Sequence, residues 1–442
     1  MNDTIAAIAT ASGRSGVGVI RVSGDLVKNI MSAMLGEQLK PRYATFKRFK
    51  DSQQQTLDEG IALYFAAPRS FTGEDVLELQ GHGGRVVLDL LLQELLKLGA
   101  RLALPGEFSQ RAFLNNKIDL AQAESIADLI HASSEQAARS ALRSLQGEFS
   151  KKINVLLQQL IHLRMMVEAA IDFPEEEIDF LAEQHVADRC QQLLHQVQNT
   201  IEAAKQGVLL RDGMTVVIAG KPNAGKSSLL NCLAKRDSAI VTDVAGTTRD
   251  VLREMIQLDG LPLHIVDTAG LRLTDDVVEQ EGIRRAHQEI EKADMVLLIT
   301  DARENEIDLS LIPKQVPCTV VRNKIDLINL QPQVECIENK TTISISAKQS
   351  QGIDLLENHL KQFMGYQQNS ENTLIARRRH LSALQRTQQH LQLGLEQITV
   401  NRAGELLAEE LRHAQQVLSE ITGEFTTDDL LGEIFSSFCI GK

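Results

Sequence analysis

Gly220-Lys221-Pro222-Asn223-Ala224-Gly225-Lys226-Ser227 fits the spacing G-x-x-x-x-G-K-[ST]. It directly follows an apolar run, Thr215-Val216-Val217-Ile218-Ala219, that reads as a buried strand, and it opens a helical run, Ser228-Leu229-Leu230-Asn231. Strand, glycine loop and helix in that order is the context in which this spacing binds phosphate. Glycines let backbone N–H groups curl around phosphate oxygens, and the helix N-terminus adds a partial positive charge. In such a loop Lys226 reaches the β- and γ-phosphates and Ser227 holds Mg²⁺.

Three further runs follow, each at the end of an apolar stretch. Asp267-Thr268-Ala269-Gly270 follows His264-Ile265-Val266; its carboxylate can hold the Mg²⁺ shell and Gly270 can offer its N–H to the γ-phosphate. Asn323-Lys324-Ile325-Asp326 follows Thr319-Val320-Val321; Asp326 can accept the hydrogens of guanine N1 and N2. Ser346-Ala347-Lys348 follows Ile343-Ser344-Ile345 and can meet guanine O6 through backbone N–H. Singly these are weak signals. In this order, each at a strand end, they are strong, because open sheets bind ligands at the carboxyl ends of their strands. Together they select guanine, and so GTP, over adenine. Strand-like and helical runs alternate over residues 214–365, the pattern of a mostly parallel α/β sheet. Leu258-Asp259-Gly260-Leu261 reads as a hairpin turn within it.

Gly246-Thr247-Thr248-Arg249-Asp250 falls where the first switch should lie, with Thr248 as a second Mg²⁺ ligand. Leu271 follows the Asp-Thr-Ala-Gly run, and a leucine cannot orient water, so the glutamine mechanism of Ras-like enzymes is absent. Arg249 is a candidate charge stabiliser or equally a surface arginine. The alternative is a monovalent cation held by the Asn223 side-chain oxygen and the carbonyls of residues 242–247. Spacing alone does not choose between them.

The whole chain has 442 residues, a prior of about three domains. Its composition, 43% apolar and 24% charged, is that of a soluble globular protein. No Trp and 3 Tyr argue against binding single strands by stacking bases on aromatic rings. A net charge of −13 excludes a chain-wide electrostatic clamp on nucleic acid, so a nucleic-acid substrate needs a local basic patch or a partner's surface. Cys190, Cys232, Cys318, Cys336 and Cys439 form no CxxC pair, which speaks against zinc or a disulfide framework. No apolar run suits a membrane span, and the N-terminus has no basic flank of a signal peptide. The expectation is a cytoplasmic protein with no membrane partner. The final Cys-Ile-Gly-Lys only superficially resembles a prenylation box.

Residues 1–117 mix short strands (Ile5-Ala6-Ala7-Ile8-Ala9, Val17-Gly18-Val19-Ile20-Arg21-Val22, Val76-Leu77-Glu78-Leu79) with glycine turns and a helix over 86–98, a small α+β domain. His82, among the glycines of Gly81-His82-Gly83-Gly84, reads as a turn histidine rather than a catalytic one. Residues 118–213 and 366–442 carry apolar residues at helical spacing, for example Ile153, Leu156, Leu160 and Leu163, then Leu384, Leu391, Leu407 and Leu411. They read as one discontinuous helical domain interrupted by the nucleotide domain, in preference to two separate helical domains. Arg377-Arg378-Arg379 is a solvated helix face or a patch for nucleic-acid phosphates.

The runs at residues 220–228, 243–250 and 267–272 resemble Era-like bacterial GTPases. The opening Asp3-Thr4-Ile5-Ala6-Ala7-Ile8-Ala9-Thr10, Gly13-Arg14-Ser15-Gly16-Val17-Gly18, Ser70-Phe71-Thr72-Gly73-Glu74-Asp75, Gly81-His82-Gly83-Gly84, Pro105-Gly106-Glu107-Phe108-Ser109 and Phe438-Cys439-Ile440-Gly441-Lys442 narrow this. Over essentially its whole length the chain resembles the tRNA-modification GTPases of the MnmE (TrmE) family.

That resemblance implies a homodimer whose N-terminal domain binds folate and whose G domain is inserted in a discontinuous helical domain. It implies an FAD-dependent partner, MnmG (GidA), with which the family installs an aminomethyl-type group on C5 of the wobble uridine of certain tRNAs. The carbon comes from 5-formyl- or 5,10-methylene-tetrahydrofolate. The matching folate positions are Arg21, Glu78, Lys117 and Lys442. GTP would meet Asn223, Ala224, Gly225, Lys226, Ser227, Ser228, Thr242, Asp243, Val244, Ala245, Gly246, Thr247, Thr248, Asp267, Thr268, Ala269, Gly270, Asn323, Lys324, Asp326, Ser346, Ala347 and Lys348. K⁺ would be held by Asn223, Thr242, Val244 and Thr247, and Mg²⁺ by Ser227 and Thr248. K⁺ would promote G-domain dimerisation and hydrolysis, with Glu279 orienting water. Cys439 matches the family's C-terminal cysteine, its chemistry left open. Read without the resemblance, Arg21 and Glu78 are edge-strand charges and Glu279 a solvated acid. The competing classes are an Era-like RNA- or ribosome-binding regulatory GTPase without folate chemistry, and a dimerisation scaffold shaped by GTP.

Overall fold

The computed structural model describes residues 3–11, 13–172, 183–236, 253–267, 289–304, 312–313, 315–337, 340–365, 374–424, 428–436 and 438–441. The chain forms two compact units, Met1–Ala127 with Ser144–Leu194 and Arg386–Lys442, and Asp128–Arg143 with His195–Gln385.

The first unit begins with strands β1 (Ile5–Ile8), β2 (Ser15–Ser23), β3 (Thr45–Lys50), β4 (Thr56–Phe65), β5 (Val76–Gly83) and β6 (Arg101–Leu102). They lie in the order β3-β4-β5-β2-β1-β6, antiparallel except for the β1–β6 pair. Helices α1 (Val27–Leu35) and α2 (Arg85–Lys97) bury one face: Ile30, Met31 and Met34 and then Leu88, Leu91 and Leu95 meet Ile20, Val22, Leu77 and Leu79. Alternation along each strand sends the other residues to the opposite face. There Phe108 of α3 (Glu107–Leu114) packs against Ile5 and Ala7 at the β1 end.

Two sequence readings change here. His82 sits within β5, not in a turn. Its flanking glycines serve close strand approach: a Cβ on Gly81 would lie 2.2 Å from Asp58 Oδ2, and one on Gly83 2.1 Å from Ser15 Oγ. Strand β3, Thr-Phe-Lys-Arg-Phe-Lys, has no long apolar run because it is a sheet edge, where charge discourages further pairing. The family-like runs around residues 70–75 and 105–109 make a buried polar knot. Arg111 donates to Asp3 Oδ1 (2.8 Å), Glu107 Oε1 (3.0 Å) and Glu74 Oε2 (3.1 Å). Ser23 Oγ donates to Glu74 Oε2 (2.7 Å).

Helices α4 (Leu120–His131), α5 (Glu135–Leu145), α6 (Glu148–Asp172) and α7 (Glu183–Asp212) follow. The periodic apolar residues form the buried stripe of α6, Phe149, Ile153, Leu156, Leu160 and Leu163 among them.

The second unit carries β7 (Met214–Ala219), β8 (Arg253–Leu258), β9 (Leu261–Asp267), β10 (Met295–Asp301), β11 (Cys318–Asn323), β12 (Gln333–Ile337) and β13 (Lys340–Ser344). The sheet runs β12-β13-β11-β10-β7-β9-β8. It is parallel but for the two edge strands, β8 and β12. Helices α8 (Lys226–Arg236) and α9 (Ile353–Met364) cover one face through Leu229, Leu233, Leu356 and Leu360. The other face buries Val217, Val266, Val296 and Leu298 against Ile290 and Val316. Burial on both faces explains the nearly continuous apolar runs of the central strands. The exposed edge β12, Gln-Val-Glu-Cys-Ile, escaped the sequence reading because Gln333 and Glu335 break up its short apolar run.

Helices α10 (Arg378–Glu396), α11 (Gly404–Ser419) and α12 (Asp428–Ser436) close the chain. The basic run is engaged within the protein: Arg377 Nη2 donates to Asp128 Oδ1 (2.8 Å) and Arg378 Nε pairs with Asp212 Oδ2 (3.3 Å). All five cysteines are free. Among the described residues no helix is long and apolar enough to cross a membrane.

Candidate guanine-nucleotide site

Strand pairing gathers the site. The registers Leu298↔Ala219, Ile218↔Asp267, Asp301↔Asn323 and Arg322↔Ser344 align the carboxyl ends of β10, β7, β9, β11 and β13. The phosphate loop leaves β7 at Gly220 (φ +140°), turns through Asn223 (φ +63°) and Gly225 (φ +99°), and enters α8. Two glycines are dictated by close approach as well as by conformation. A Cβ on Gly220 would lie 2.2 Å from the Ile299 carbonyl oxygen, and one on Gly225 2.1 Å from Asn323 Nδ2. Lys226 is only 8% exposed, and its ammonium donates to the carbonyls of Gly220 (2.7 Å) and Lys221 (2.9 Å). It therefore lies inside the curl of the loop, where a phosphate chain would be cradled. Ser227 and Ser228 are exposed in the first turn of α8.

The recognition run is clasped to this loop. Asn323, 2% exposed, donates from Nδ2 to the Ala224 carbonyl (3.0 Å) and accepts at Oδ1 from the N–H groups of Lys324 (2.8 Å) and Ala347 (3.0 Å). One side chain thus joins three of the sequence-predicted segments. Lys324, in the left-handed region at φ +68°, donates from Nζ to the Asn223 carbonyl (2.6 Å). Asp326 Oδ1 accepts from Ser346 Oγ (2.6 Å), which itself accepts from the Gln349 N–H (3.2 Å). The Asp326 carboxylate is thereby aimed by the Ser346-Ala347-Lys348 turn, of which Lys348 is exposed.

Sequence reasoning missed Asp301, the last residue of β10, whose Oδ2 lies 2.9 Å from Lys324 Nζ. The hydrogen bonds from Arg303, and then from Lys324, hold its carboxyl well below the usual carboxylate range. Its only signal was position, an acid ending the strand beside Asn323. Asp267 closes β9. Residues 242–249, 268–271, Glu279 and Lys442 lie outside the described residues.

A substitution at Gly225 tests the clasp. Gly225→Ala forces a side chain into Asn323 Nδ2 at a positive φ. Strain and the broken bond together come to about 3 kcal/mol, roughly a hundred-fold in nucleotide Kd. Titration with a fluorescent GDP reads this; unchanged affinity would mean that the loop relaxes around the methyl group.

The first unit gathers a second set of sequence-predicted residues. Arg21 and Glu78 are register partners on β2 and β5, and Arg21 Nε donates to Glu78 Oε1 (3.0 Å). The guanidinium lies 5.6 Å from the Phe108 ring centroid and 5.9 Å from that of Phe71. Its Nη1 reaches the Gly441 carbonyl (3.4 Å). The tail is seated by the Gly106 N–H, which donates to the Cys439 carbonyl (3.3 Å), and by Phe438, whose ring is tilted 49° against that of Phe435 with centroids 5.3 Å apart. Gly441, at φ +92°, sits where a Cβ would be 2.5 Å from the Ile8 carbonyl oxygen. Cys439 itself is exposed. Lys117 Nζ donates to the Pro68 carbonyl (2.9 Å), which attaches it to the segment bearing Phe71. His82, exposed, bonds Asp58 Oδ1 through Nδ1 (2.7 Å), and this carboxylate raises its pKa.

A glycine phosphate loop on a mostly parallel sheet, joined through one asparagine to the Asn323-Lys324-Ile325-Asp326 run, defines a P-loop protein of the GTPase class. The comparisons carry this further. The model described as "MnmE helical domain" matches residues 120–439, and that described as "GTP-binding protein TrmE N-terminus" matches residues 4–117. The chain belongs to the MnmE family. It is similar to the "tRNA modification GTPase MnmE" of Histophilus somni (strain 129Pt), 61% identical over 100% of this chain and 99% of that one. The protein of the same name from Haemophilus influenzae (strain 86-028NP) is 60% identical over 100% of both chains. That of Hydrogenovibrio crunogenus (strain DSM 25203 / XCL-2) is 59% identical over 100% of this chain and 99% of that one.

Proposed function

We propose that this chain is a K⁺-activated GTPase of tRNA modification that, with the FAD-dependent partner MnmG, adds an aminomethyl- or carboxymethylaminomethyl-type group to C5 of the wobble uridine. The observation that carries the reading is Asn323, which binds the phosphate loop to the guanine-recognition runs in a chain of this family. Ser227 would hold Mg²⁺ with Thr248, an all-oxygen set suited to a hard cation. Mg²⁺ supplies charge neutralisation between the β- and γ-phosphates. Lys226 then steadies the same oxygens, Asp326 selects the base, and Glu279 orients water. GTP hydrolysis gates the modification in the cytoplasm.

Residues 1–117 form the tetrahydrofolate and dimerisation domain, residues 118–213 and 366–442 the helical domain, and residues 214–365 the G domain. The cross-strand pair Arg21 and Glu78, on central strands and with Phe71 and Phe108 beside the guanidinium, offers a donor and an acceptor among rings to a pterin. The tail whose Gly441 carbonyl meets Arg21, two residues on from Cys439, supports placing the one-carbon chemistry there. Homodimerisation is supported by the sheet face that α1 and α2 leave open. On it Phe46 and Ile61, 67% and 41% exposed, are direct cross-strand neighbours, an apolar pair of the kind that marks an interface.

Titration with 5-formyl-tetrahydrofolate tests the folate half of the reading. The chain should bind it tighter than about millimolar, which is about −4 kcal/mol. Arg21→Ala should weaken this by roughly ten-fold or more, the loss of a charged hydrogen bond, with GDP affinity unchanged. A chain that binds no reduced folate in this range would be a switch or scaffold without folate chemistry.

A further inference from the structure

We propose that Asp301 is a positioning residue of the nucleotide site, holding the Lys324 ammonium on the Asn223 carbonyl from the end of the neighbouring strand. The inference rests on the reading of this site as one for guanine nucleotides. It concerns a residue outside the phosphate loop and outside both recognition runs.

The placement of Asp301 is fixed twice. It pairs in register with Asn323 at the end of β10, and it is only 7% exposed. Arg303 grips both carboxylate oxygens: Nε and the backbone N–H donate to Oδ1 (3.0 and 3.1 Å), and Nη2 donates to Oδ2 (2.7 Å). Oδ2 then accepts from Lys324 Nζ (2.9 Å), whose ammonium also donates to the Asn223 carbonyl (2.6 Å). The relay runs from a rigid strand end, through an ammonium, to the one non-glycine residue of the phosphate loop in the left-handed region.

A lysine on a flexible four-carbon stem is a mobile point charge unless something fixes it. Without the carboxylate, the ammonium keeps a single carbonyl partner and is free to turn toward water. The Asn223 peptide then loses the donor that orients it, and with it the loop loses one of its two ties to the recognition run. The other, Asn323 to Ala224, remains. Asp301 therefore acts through Lys324, and its removal should loosen nucleotide binding without touching the bond-breaking step.

The test uses the full chain and fluorescent GDP. Asp301→Asn should raise the GDP Kd by about ten-fold, through faster dissociation, a coupling typical of residues in one network. The kcat at saturating GTP should stay within about two-fold, because the reacting groups are untouched. Lys324→Met should raise Kd at least as much. The double variant should be no weaker than Lys324→Met alone, since among the described residues the Asp301 carboxylate meets the recognition run through Lys324. An Asp301→Asn Kd within about two-fold of the parent, or effects that multiply in the double variant, would overturn the proposal. If Asp301→Asn does not fold, Arg303→Gln on the exposed side of the relay takes its place: a two- to three-fold rise in Kd supports the proposal and no change refutes it. Asp326→Asn run alongside separates the two levels. If it keeps its GTP preference, the guanine reading itself fails; if it switches and Asp301→Asn is silent, only this inference fails.

Discussion

Asp326→Asn should move nucleotide preference from GTP toward xanthosine triphosphate. The carboxylate accepts two hydrogens from the guanine edge, at N1 and N2. An asparagine presents one acceptor and one donor, so it clashes with the guanine amino group and suits the xanthine carbonyl. Polar sites of this kind discriminate by up to roughly 10⁴–10⁵-fold, because a mismatched base leaves buried polar groups unpaired. The main framework bonds of the region do not depend on the Asp326 carboxylate. Asp326 Oδ1 is held by Ser346 Oγ (2.6 Å), while the framework bonds of the region run through Asn323 and through the Ile325 N–H to the Ile345 carbonyl (3.2 Å). The variant should therefore fold and still bind a nucleotide. Competition of GTP and xanthosine triphosphate for a fluorescent GDP is the measurement, and an unchanged preference would remove the guanine assignment.

What could be read from the sequence, and what could not, follows from the range of the interactions. The phosphate loop is local: eight consecutive residues between a strand and a helix carry their own conformation, so Gly220, Gly225 and Lys226 could be placed without coordinates. The recognition runs were legible because each ends an apolar strand and the order of four such ends is informative. Asp301 was not legible because nothing near it in sequence marks it; its partner Lys324 is 23 residues away. His82 was misread as a turn residue for the same reason. The glycines around it answer to Asp58 and Ser15 on neighbouring strands, and only the β2–β4–β5 register brings these together. Arg378 is the solvated residue the run suggests, 77% exposed, whereas the burial of Arg377 against Asp128 was hidden because that acid is remote in sequence. Edge strand β3 was missed because it carries charge where a central strand carries Val and Ile, and β12 because its five residues, with Glu335 in the middle, are too short a run to show a pattern.

Hydrolysis of GTP in KCl should exceed that in NaCl at equal ionic strength. Leu271 cannot orient water, so the charge that builds on the transferring phosphoryl group needs another stabiliser. An arginine finger in that role is worth roughly 10³–10⁵-fold in other GTPases, and a cation at the same place should approach the lower end of that range. The phosphate loop is prepared for it in one respect. The Asn223 main-chain carbonyl is already engaged by Lys324 Nζ at 2.6 Å, so only its side-chain oxygen is left to ligate, with the carbonyls of residues 242–247 supplying the rest. Oxygen-only ligation favours hard cations, and K⁺ over Na⁺ then requires a cage of the larger size. Asn223→Ala should abolish the difference between the two salts while leaving GDP binding nearly intact, because the main-chain bond to Lys324 survives the substitution. Repeating the assay at several protein concentrations separates the cation from assembly: a K⁺-dependent specific rate that rises with concentration requires two G domains to meet. Equal rates in both salts would discard the cation and return the task to Arg249 or to an activating partner.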